Sequence, residues 1–316
     1  MANCFFPDNE NLPLVYVIVL TWNQYLLTAK CIHSLLDVDY PNLRIIVVDN
    51  GSKDDTVMLL TEEFGQKIEI LINETNLGYA GGNNVGIRHA LQCGAEYIMV
   101  LNNDTFVSPD FLKPLLRTLQ SNIYIGAVTP KIYFAEQPNM IWAAGGRINF
   151  WAGKAGSRGR GSIDIGQFDR SQEVDYTTGC CFLAPRNVFE QIGVFNESYF
   201  AYFEDTDWSM RVRKSGLKIW YEPAACIWHV AGGSSEKLAN SIRYGHRKPF
   251  LIYLLARNNL WFIKSHISGM KKLTALVYFL VSYVAYYSVA YLILRRWEKL
   301  RNLWKGIQDG WRSLPE

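Results

Sequence analysis

Three carboxylates occupy four positions at Glu204, Asp205 and Asp207, with Trp208 next and His229 further along. They sit inside an aromatic run of Tyr199, Phe200, Tyr202 and Phe203. Apolar neighbours exclude water, and crowded carboxylates raise one another's pKa, which suits a general base working near neutral pH. The same acids suit a helix N-terminus, where they complement the dipole and cap free N–H groups, and Arg211, Arg213 and Lys214 suit the other end. A helix over residues 205–215 accommodates both readings.

A second set of polar groups lies upstream. Asp104 closes Asn102-Asn103-Asp104 after an apolar run, where a hard cation could bridge a carboxylate and diphosphate oxygens. The alternative is a cap on a helix starting near Pro109. His229 follows Cys226-Ile227-Trp228 and is either a ligand or a satisfied core histidine. The stretch from Asn76 through Gly78, Gly81 and Gly82 to Asn83 and Asn84 could bring backbone N–H groups to a phosphate at a helix start. It lacks the Gly-Lys-Ser/Thr ending of a Walker loop, and it does not follow the first strand as a dinucleotide fingerprint must. Asp49, ahead of Asn50-Gly51-Ser52, either accepts hydrogen bonds from a base or ribose or closes a turn. His33, His89, His246 and His266 lie in helical or basic stretches and receive no role.

These groups need a scaffold. Residues 14–20 form a continuous apolar, β-branched run, as expected of a strand covered on both faces. Helical spacing follows over 24–36, a second strand over 43–48, a third over 67–72 and a fourth over 97–101. Asp54 or Asp55 is placed to cap the helix after strand two, and the loop from Asn73 leads into a helix ending near Gln92. Four alternations of strand and helix argue for an α/β fold with a parallel sheet and right-handed crossovers. The polar, Gly-rich segments all fall at strand C-terminal ends, the edge where open α/β sheets bind ligands.

The chain has 316 residues, 49% of them apolar and 14% aromatic, enough for one large domain or two. Cys4, Cys31, Cys93, Cys180, Cys181 and Cys226 show neither paired nor zinc-like spacing and read as reduced, mostly buried thiols. The first 13 residues carry no basic start and no apolar core, so no signal peptide is expected. The net charge of +3 conceals an asymmetry: residues 1–236 carry 18 Lys/Arg against 26 Asp/Glu, and residues 237–316 carry 14 against 3. A +11 tail on a −8 body points to an anionic surface. Within the tail, residues 273–294 hold no charge and are flanked by Lys271-Lys272 and Arg295-Arg296. That length spans or lies on a bilayer, and a dimer helix is the alternative. The basic residues border apolar runs, which disfavours nucleic acid. The expected division is 1–236 (halves 1–123 and 124–236) and 237–316, with residues 270–316 separable from the catalytic body.

Together the motifs carry a resemblance. TWN (21–23), VVDNGSKDDT (47–56), NLGYAGGNNVG (76–86), LNND (101–104), TTGCCFLAPRNVFEQIGVF (177–195), FEDTDWSMRVRKSG (203–216) and IWH (227–229) stand in the order and at the spacing of the family 2 inverting nucleotide-sugar glycosyltransferases. Over residues 13–266 the chain resembles the rhamnosyltransferase-like subgroup of bacterial surface polysaccharide synthesis. The resemblance implies a GT-A (Rossmann-like) fold, a mixed, mainly parallel sheet flanked by helices, with a C-terminal helical membrane-associated region. It implies that Thr21, Asn23, Asp49, Asn76, Gly78, Gly81, Gly82, Asn83 and Asn103 border the donor. Asp104 and His229 would hold Mn2+ or Mg2+, and Asp205 would be the base. Glu204, Asp207, Trp208 and Cys180 would form or support the acceptor side, with Cys180 at the start of a strand. The family's metal motif is commonly Asp-x-Asp, and here Asn102 holds its first position, so a weaker, exchangeable metal is expected.

The implied reaction moves one sugar, with inversion, from a nucleotide-diphosphate donor to a lipid-linked glycan acceptor at the cytoplasmic face of the bacterial inner membrane. dTDP-rhamnose is the favoured donor and a UDP-sugar the alternative. A homodimer is compatible with the tail. The competing readings are a UDP-hexose transferase of the same fold, a processive polysaccharide synthase and a non-catalytic glycan-binding module. Arg296-Trp297 has Ile293 where a processive synthase has Gln, and it follows the long apolar segment instead of preceding it.

Overall fold

The computed structural model describes residues 12–230 and 248–315. The N-terminal stretch with Cys4, the division at 236/237 and His246 lie outside the described residues.

The first half is the alternating unit read from the sequence. Strands β1 (Val15–Thr21), β2 (Leu43–Asp49), β3 (Glu69–Ile72) and β4 (Tyr97–Asn102) are joined by α1 (Tyr25–Leu36), α2 (Thr56–Phe64) and α3 (Gly78–Gln92). They pair in parallel in the order β3-β2-β1-β4. Alternate residues of β1 serve opposite faces. Val15, Val17 and Val19 join one core layer with α1, and Tyr16 and Ile18 join the other with α3. A strand flanked on both faces has no polar side to show, which is why it reads as a continuous apolar run.

The chain then leaves the alternating pattern. It continues through β5 (Thr105–Val107), α4 (Leu112–Ser121), β6 (Ile125–Phe134), β7 (Gln137–Ala143), the hairpin β8 (Gly146–Asn149) and β9 (Lys154–Ser157), β10 (Gln172–Val174) and β11 (Cys181–Pro185). Helix α5 (Arg186–Ile192), helix α6 (Glu204–Lys214) and the long strand β12 (Lys218–His229) follow. Strand β11 enters antiparallel beside β4, and β6, β12 and β10 extend the sheet beyond it.

Three helices finish the chain: α7 (Pro249–His266), α8 from Gly269 to Ile293 with a π-helical turn at Phe279–Ala285, and α9 (Trp297–Arg312). They are not a detached tail. Leu260, Phe262 and Ile263 of α7 share a buried cluster with Ile148, Tyr176 and Met210 of the catalytic body. Helix α9 crosses α7 at close range: a Cβ on Gly306 would stand 2.4 Å from the Tyr253 carbonyl oxygen. Lys264 Nζ donates to the carbonyls of Gly310, Trp311 and Ser313 at the end of α9. A residue 270–316 segment separable from the body does not agree with this packing.

Candidate active site

The pairing of β5 with the end of β12 sets His229 opposite Thr105 and so beside Asp104. Val230 N donates to the Asp104 carbonyl at 2.8 Å, fixing the join. His229 Nε2 lies 3.1 Å from Asp104 Oδ1, both side chains are buried, and the His229 ring packs on Trp142 at 4.7 Å. The two residues are 125 positions apart in sequence and adjacent in space. Apart from that imidazole contact, Asp104 Oδ1 accepts no hydrogen bond, which leaves a buried carboxylate oxygen suited to a cation. A carboxylate oxygen beside an imidazole nitrogen fits a divalent ion such as Mn2+ or Mg2+. Among the described residues no third His, Cys, Asp or Glu joins them, so diphosphate oxygens would complete the shell.

Asp205 sits in the first turn of α6, as its position after the aromatic run suggests. Its Oδ2 accepts from Gly179 N at 2.7 Å, and its Oδ1 accepts from Thr206 N at 2.6 Å and Thr206 Oγ1 at 3.1 Å. Burial raises its pKa, against the hydrogen bonds from Gly179 and Thr206 that lower it. Burial, and then the neighbouring Asp205 charge, push Glu204 well above the ordinary carboxylate range. Glu204 Oε2 is buried without a hydrogen-bond partner. Of the two, Asp205 is the more exposed and the better hydrogen-bonded, and Glu204 is the one whose charge burial disfavours more.

Gly179 connects the two chemical groups. Its N–H holds Asp205, its carbonyl accepts from the Tyr79 hydroxyl of α3, and the next carbonyl, of Cys180, accepts from Asn102 N at 2.9 Å. Asp205, through Gly179, and Asp104 are thus both placed at the C-terminal end of β4. Gly179 and Tyr79 were given no role from sequence. Two main-chain bonds to a glycine leave no pattern to read.

Several expected roles need correction. Asp207 is bound by Arg211 Nε at 2.9 Å and His266 Nε2 at 2.7 Å. Burial raises its pKa, but His266 and Arg211 outweigh burial, so it is lowered and the carboxylate is committed to those two partners. Trp208 is fully buried among Phe182 and Phe189, with Nε1 donating to Gly193 O. Cys180 precedes β11 instead of opening it, and its side chain lies in the core. His266, assigned nothing, is the buried partner of Asp207.

The donor side is rebuilt in the same way. Gly78–Asn84 belong to α3 and not to a loop. The N–H groups of Leu77, Gly78 and Ala80 already donate to Asn50 Oδ1, Asn76 Oδ1 and the Phe200 carbonyl, so these three do not cradle a phosphate. Gly81 and Gly82 provide clearance: a Cβ would stand 2.8 Å from Leu77 Cβ at the first and 2.4 Å from Leu20 Cδ1 at the second. Asn83 donates to the Tyr79 carbonyl within α3, and Asn84 to the Phe195 carbonyl and Glu197. Asn23, at φ 52°, ties the β1 loop to the β2 loop by accepting from Lys53 N and receiving Ser52 Oγ on its own N–H.

Asp49, opposite Thr21 at the strand ends, is buried. Its Oδ2 accepts from Ser52 N, while Oδ1 accepts nothing, as a group reserved for a base or ribose would. Thr21 and Asn103 meet through Thr28, with Thr21 Oγ1 at 2.7 Å and Asn103 Nδ2 at 3.0 Å from Thr28 Oγ1. Asn50 was not foreseen. Its amide binds Asn76 Oδ1, Gly78 O, Asn73 Nδ2 and Leu77 N, closing the turn ahead of α3.

The loop before α6 is strained. Phe200, Tyr202 and Phe203 have φ of 64°, 69° and 76°, each worth about 1–3 kcal/mol. Helix α7 holds it there. Asn258 Nδ2, fully buried, donates to the carbonyls of Tyr199, Ala201 and Tyr202 at 2.8–3.0 Å, and Arg257 Nη2 donates to those of Ser198 and Tyr199. The loop that leads into Asp205 is therefore held by α7.

Comparison with known proteins agrees. The model of Glycosyl transferase family 2 matches residues 16–193. The chain is 31% identical over 180 residues to the low-salt glycan biosynthesis hexosyltransferase Agl10 of Haloferax volcanii, covering 55% of this chain and 54% of that protein, so it spans about half the length of that relative. It is 25% identical over 236 residues to the N-acetylglucosaminyl-diphospho-decaprenol L-rhamnosyltransferase of Mycobacterium tuberculosis, covering 69% and 76%. Among solved structures, GalNAc-T7 with UDP, GalNAc and Mn2+ superposes with a TM-score of 0.59 at 15% identity, over 87% of this chain and 58% of that one. The architecture is GT-A, and the chain belongs to glycosyl transferase family 2.

Proposed function

We propose that this glycosyltransferase moves one sugar, rhamnose favoured, from a nucleoside-diphosphate donor to a lipid-linked glycan acceptor, with inversion at the anomeric carbon. The observation that carries it is the placement at one strand end, through Gly179 and Cys180, of an acceptor-side carboxylate (Asp205) and an Asp104–His229 pair suited to a diphosphate-bound cation. Asp205 takes the proton of the acceptor hydroxyl as that oxygen attacks the anomeric carbon, and the diphosphate leaves from the opposite face. Glu204, whose charged form burial disfavours, adds no second negative charge against the oxygen that Asp205 must deprotonate. Asp49 Oδ1 receives the nucleoside. Asp104 and His229 would hold Mn2+ or Mg2+, which when bound neutralises charge on the leaving diphosphate.

Rhamnose is favoured by the likeness to the mycobacterial rhamnosyltransferase, whose name gives a diphospho-decaprenol lipid as its acceptor. The same likeness and the basic C-terminal region support work on the cytoplasmic face of a membrane. The test is nucleotide release by purified full-length protein, with dTDP-rhamnose and UDP-hexoses offered beside a polyprenyl-diphosphate sugar and manganese. Acceptor-dependent release of dTDP is expected. Release from UDP-hexoses alone would replace the donor, and release unaffected by the lipid acceptor would overturn the acceptor.

A further inference from the structure

Helix α9 exposes Trp297, Trp304 and Trp311, each more than half accessible to solvent. Their spacing of seven places them on one stripe of the helix, since seven residues fall only about 20° short of two full turns. Its opposite face, with Leu303, Gly306 and Gly310, is the one buried against α7. Tryptophan is the costliest side chain to leave in water, and three in a row are not the scatter expected of an ordinary surface. Between Trp304 and Trp311 an open groove of about 810 Å³ is lined also by Arg301, Lys305 and Arg312.

Helix α8 continues the same surface. It exposes Leu273, Val277, Val281, Val289, Leu292 and Ile293, and the exposed Trp151 of the β8–β9 turn stands by its start, 5.7 Å from Lys271 Nζ. Its other stripe is docked. Ala275 packs at Gly153, Phe279 and Val284 lie in the cluster with Phe262 and Ile263, and Tyr291 lies in the cluster with Ile252 and Leu303. Lys154 Nζ also donates to Tyr278 OH at 2.8 Å. From Ala275 to Tyr291 the docked stripe runs about 24 Å at 1.5 Å per residue. A helix held along that length by the hairpin, α7 and α9 cannot also be ringed by acyl chains, although its 25 residues and mean hydropathy of 1.7 would allow a span.

We infer that α8, α9 and Trp151 form one monotopic membrane-binding face, lying in the plane of an anionic bilayer and not crossing it. Charge selects this occupant over a second copy. Residues 269–315 carry eight Lys/Arg against two Asp/Glu, so a twofold contact would set +6 against +6, whereas anionic headgroups complement it. Tryptophans at headgroup depth with cations beside them are the pattern of an interfacial helix. The face serves the lipid-linked acceptor proposed above and rests on that reading for its purpose. Its test needs neither donor nor acceptor, so the two fail separately.

The experiment is co-flotation of the full-length chain with vesicles of phosphatidylglycerol and phosphatidylethanolamine, with phosphatidylcholine vesicles as the comparison. Binding to the anionic vesicles, weakened by salt, is expected. Trp304→Glu with Trp311→Glu should lower the partition coefficient about tenfold or more, with helical content unchanged because both side chains are exposed. Arg301→Ser with Arg312→Ser should abolish the preference for anionic lipid. Met270→Cys and Leu294→Cys, labelled on vesicle-bound protein by a membrane-impermeant maleimide and read against the parent chain, should both react from outside. Reaction of only one means that α8 spans, and overturns the inference. So does protein that ignores vesicles yet forms a dimer lost in the tryptophan variant.

Discussion

His266 Nε2 lies 2.7 Å from Asp207 Oδ1, joining the end of α7 to the first turn of α6. The bond links the C-terminal helices to the turn that carries Asp205, and Arg211 closes the same carboxylate from the other side. Asp207→Asn should therefore act on stability more than on chemistry. It leaves a buried imidazole and a guanidinium short of their anion, at about 3–5 kcal/mol by analogy with broken buried pairs. The Asp207 pKa is lowered in the fold, so its contribution is present above the ordinary aspartate pKa and is lost as pH falls through the lowered value. Thermal unfolding of parent and variant across acidic pH should show the gap closing in that window. A gap that persists unchanged into strong acid would contradict the assignment.

Asp205→Asn should lower turnover by about 10²–10⁴-fold, the usual worth of a general base, with nucleotide-sugar affinity nearly unchanged. Glu204→Gln should keep most of the activity, because burial disfavours the charged form of Glu204. Initial rates and calorimetric donor binding separate the two. If Glu204→Gln were the inactive variant, the roles within the pair would be reversed.

The pH dependence follows from the same pair. Asp205 must be ionised to take a proton, and burial raises its pKa. The acid limb of kcat/KM should therefore fall at a pH above the ordinary aspartate value near 3.9. Burial disfavours the Glu204 charge still more, so Glu204→Gln should leave that limb in place. A limb that moves to lower pH in that variant would mean that a charged Glu204 holds the Asp205 pKa up.

Asp104→Ala or His229→Ala should weaken donor binding when manganese is present and have far less effect after chelation. Titration of the nucleotide sugar with and without chelator is the measurement. Full activity of the chelated parent chain would reject the pair as metal ligands.

How much of this was legible depended on sequence distance. The β1–β4 unit shows as apolar runs because each strand is covered on both faces, and its observed bounds lie within two residues of those read. Asp104, Asp205 and His229 stood out because charged or ring-nitrogen groups in apolar surroundings need a reason. The β6–β10 region did not, since strands in mixed parallel and antiparallel pairing with irregular register leave little periodicity. Gly82 packs closely against Leu20 of β1, and sequence alone does not separate that use of glycine from ligand approach. Asn258 and His266 were invisible for a different reason. Each lies in an amphipathic-looking helix more than 50 residues from its partners, and only the tertiary fold brings them together.

Asn258→Ala tests the support of the strained loop. It strips hydrogen bonds from the carbonyls of Tyr199, Ala201 and Tyr202, and an unsatisfied buried group costs about 1–3 kcal/mol. The loop should relax from its left-handed conformation and carry Asp205 off target. Turnover should fall more than donor affinity, and Asn258→Asp should not rescue it, since a carboxylate cannot donate when ionised. Equal loss of donor binding would place the damage elsewhere.

Removing residues 270–316 follows from the same dependence. If those residues were only a membrane tail, deletion would release a soluble, active body. The packing argues otherwise. Truncation strips α9 from α7, exposing Ile252 and Ala256 and leaving Lys264 without the three carbonyls that it caps. Helix α7 supplies Asn258, Arg257 and His266 to the catalytic side, so loosening it should loosen the base. The truncated chain should lose turnover even on a short water-soluble acceptor, and its melting temperature should fall. Gly306→Leu separates the two explanations. Its side chain would drive into the Tyr253 carbonyl and wedge α9 from α7 while leaving the Trp297, Trp304 and Trp311 stripe intact. That variant should still bind anionic vesicles but should share the catalytic defect. A truncated chain with parental turnover on the soluble acceptor would show that α7 holds the strained loop without α9.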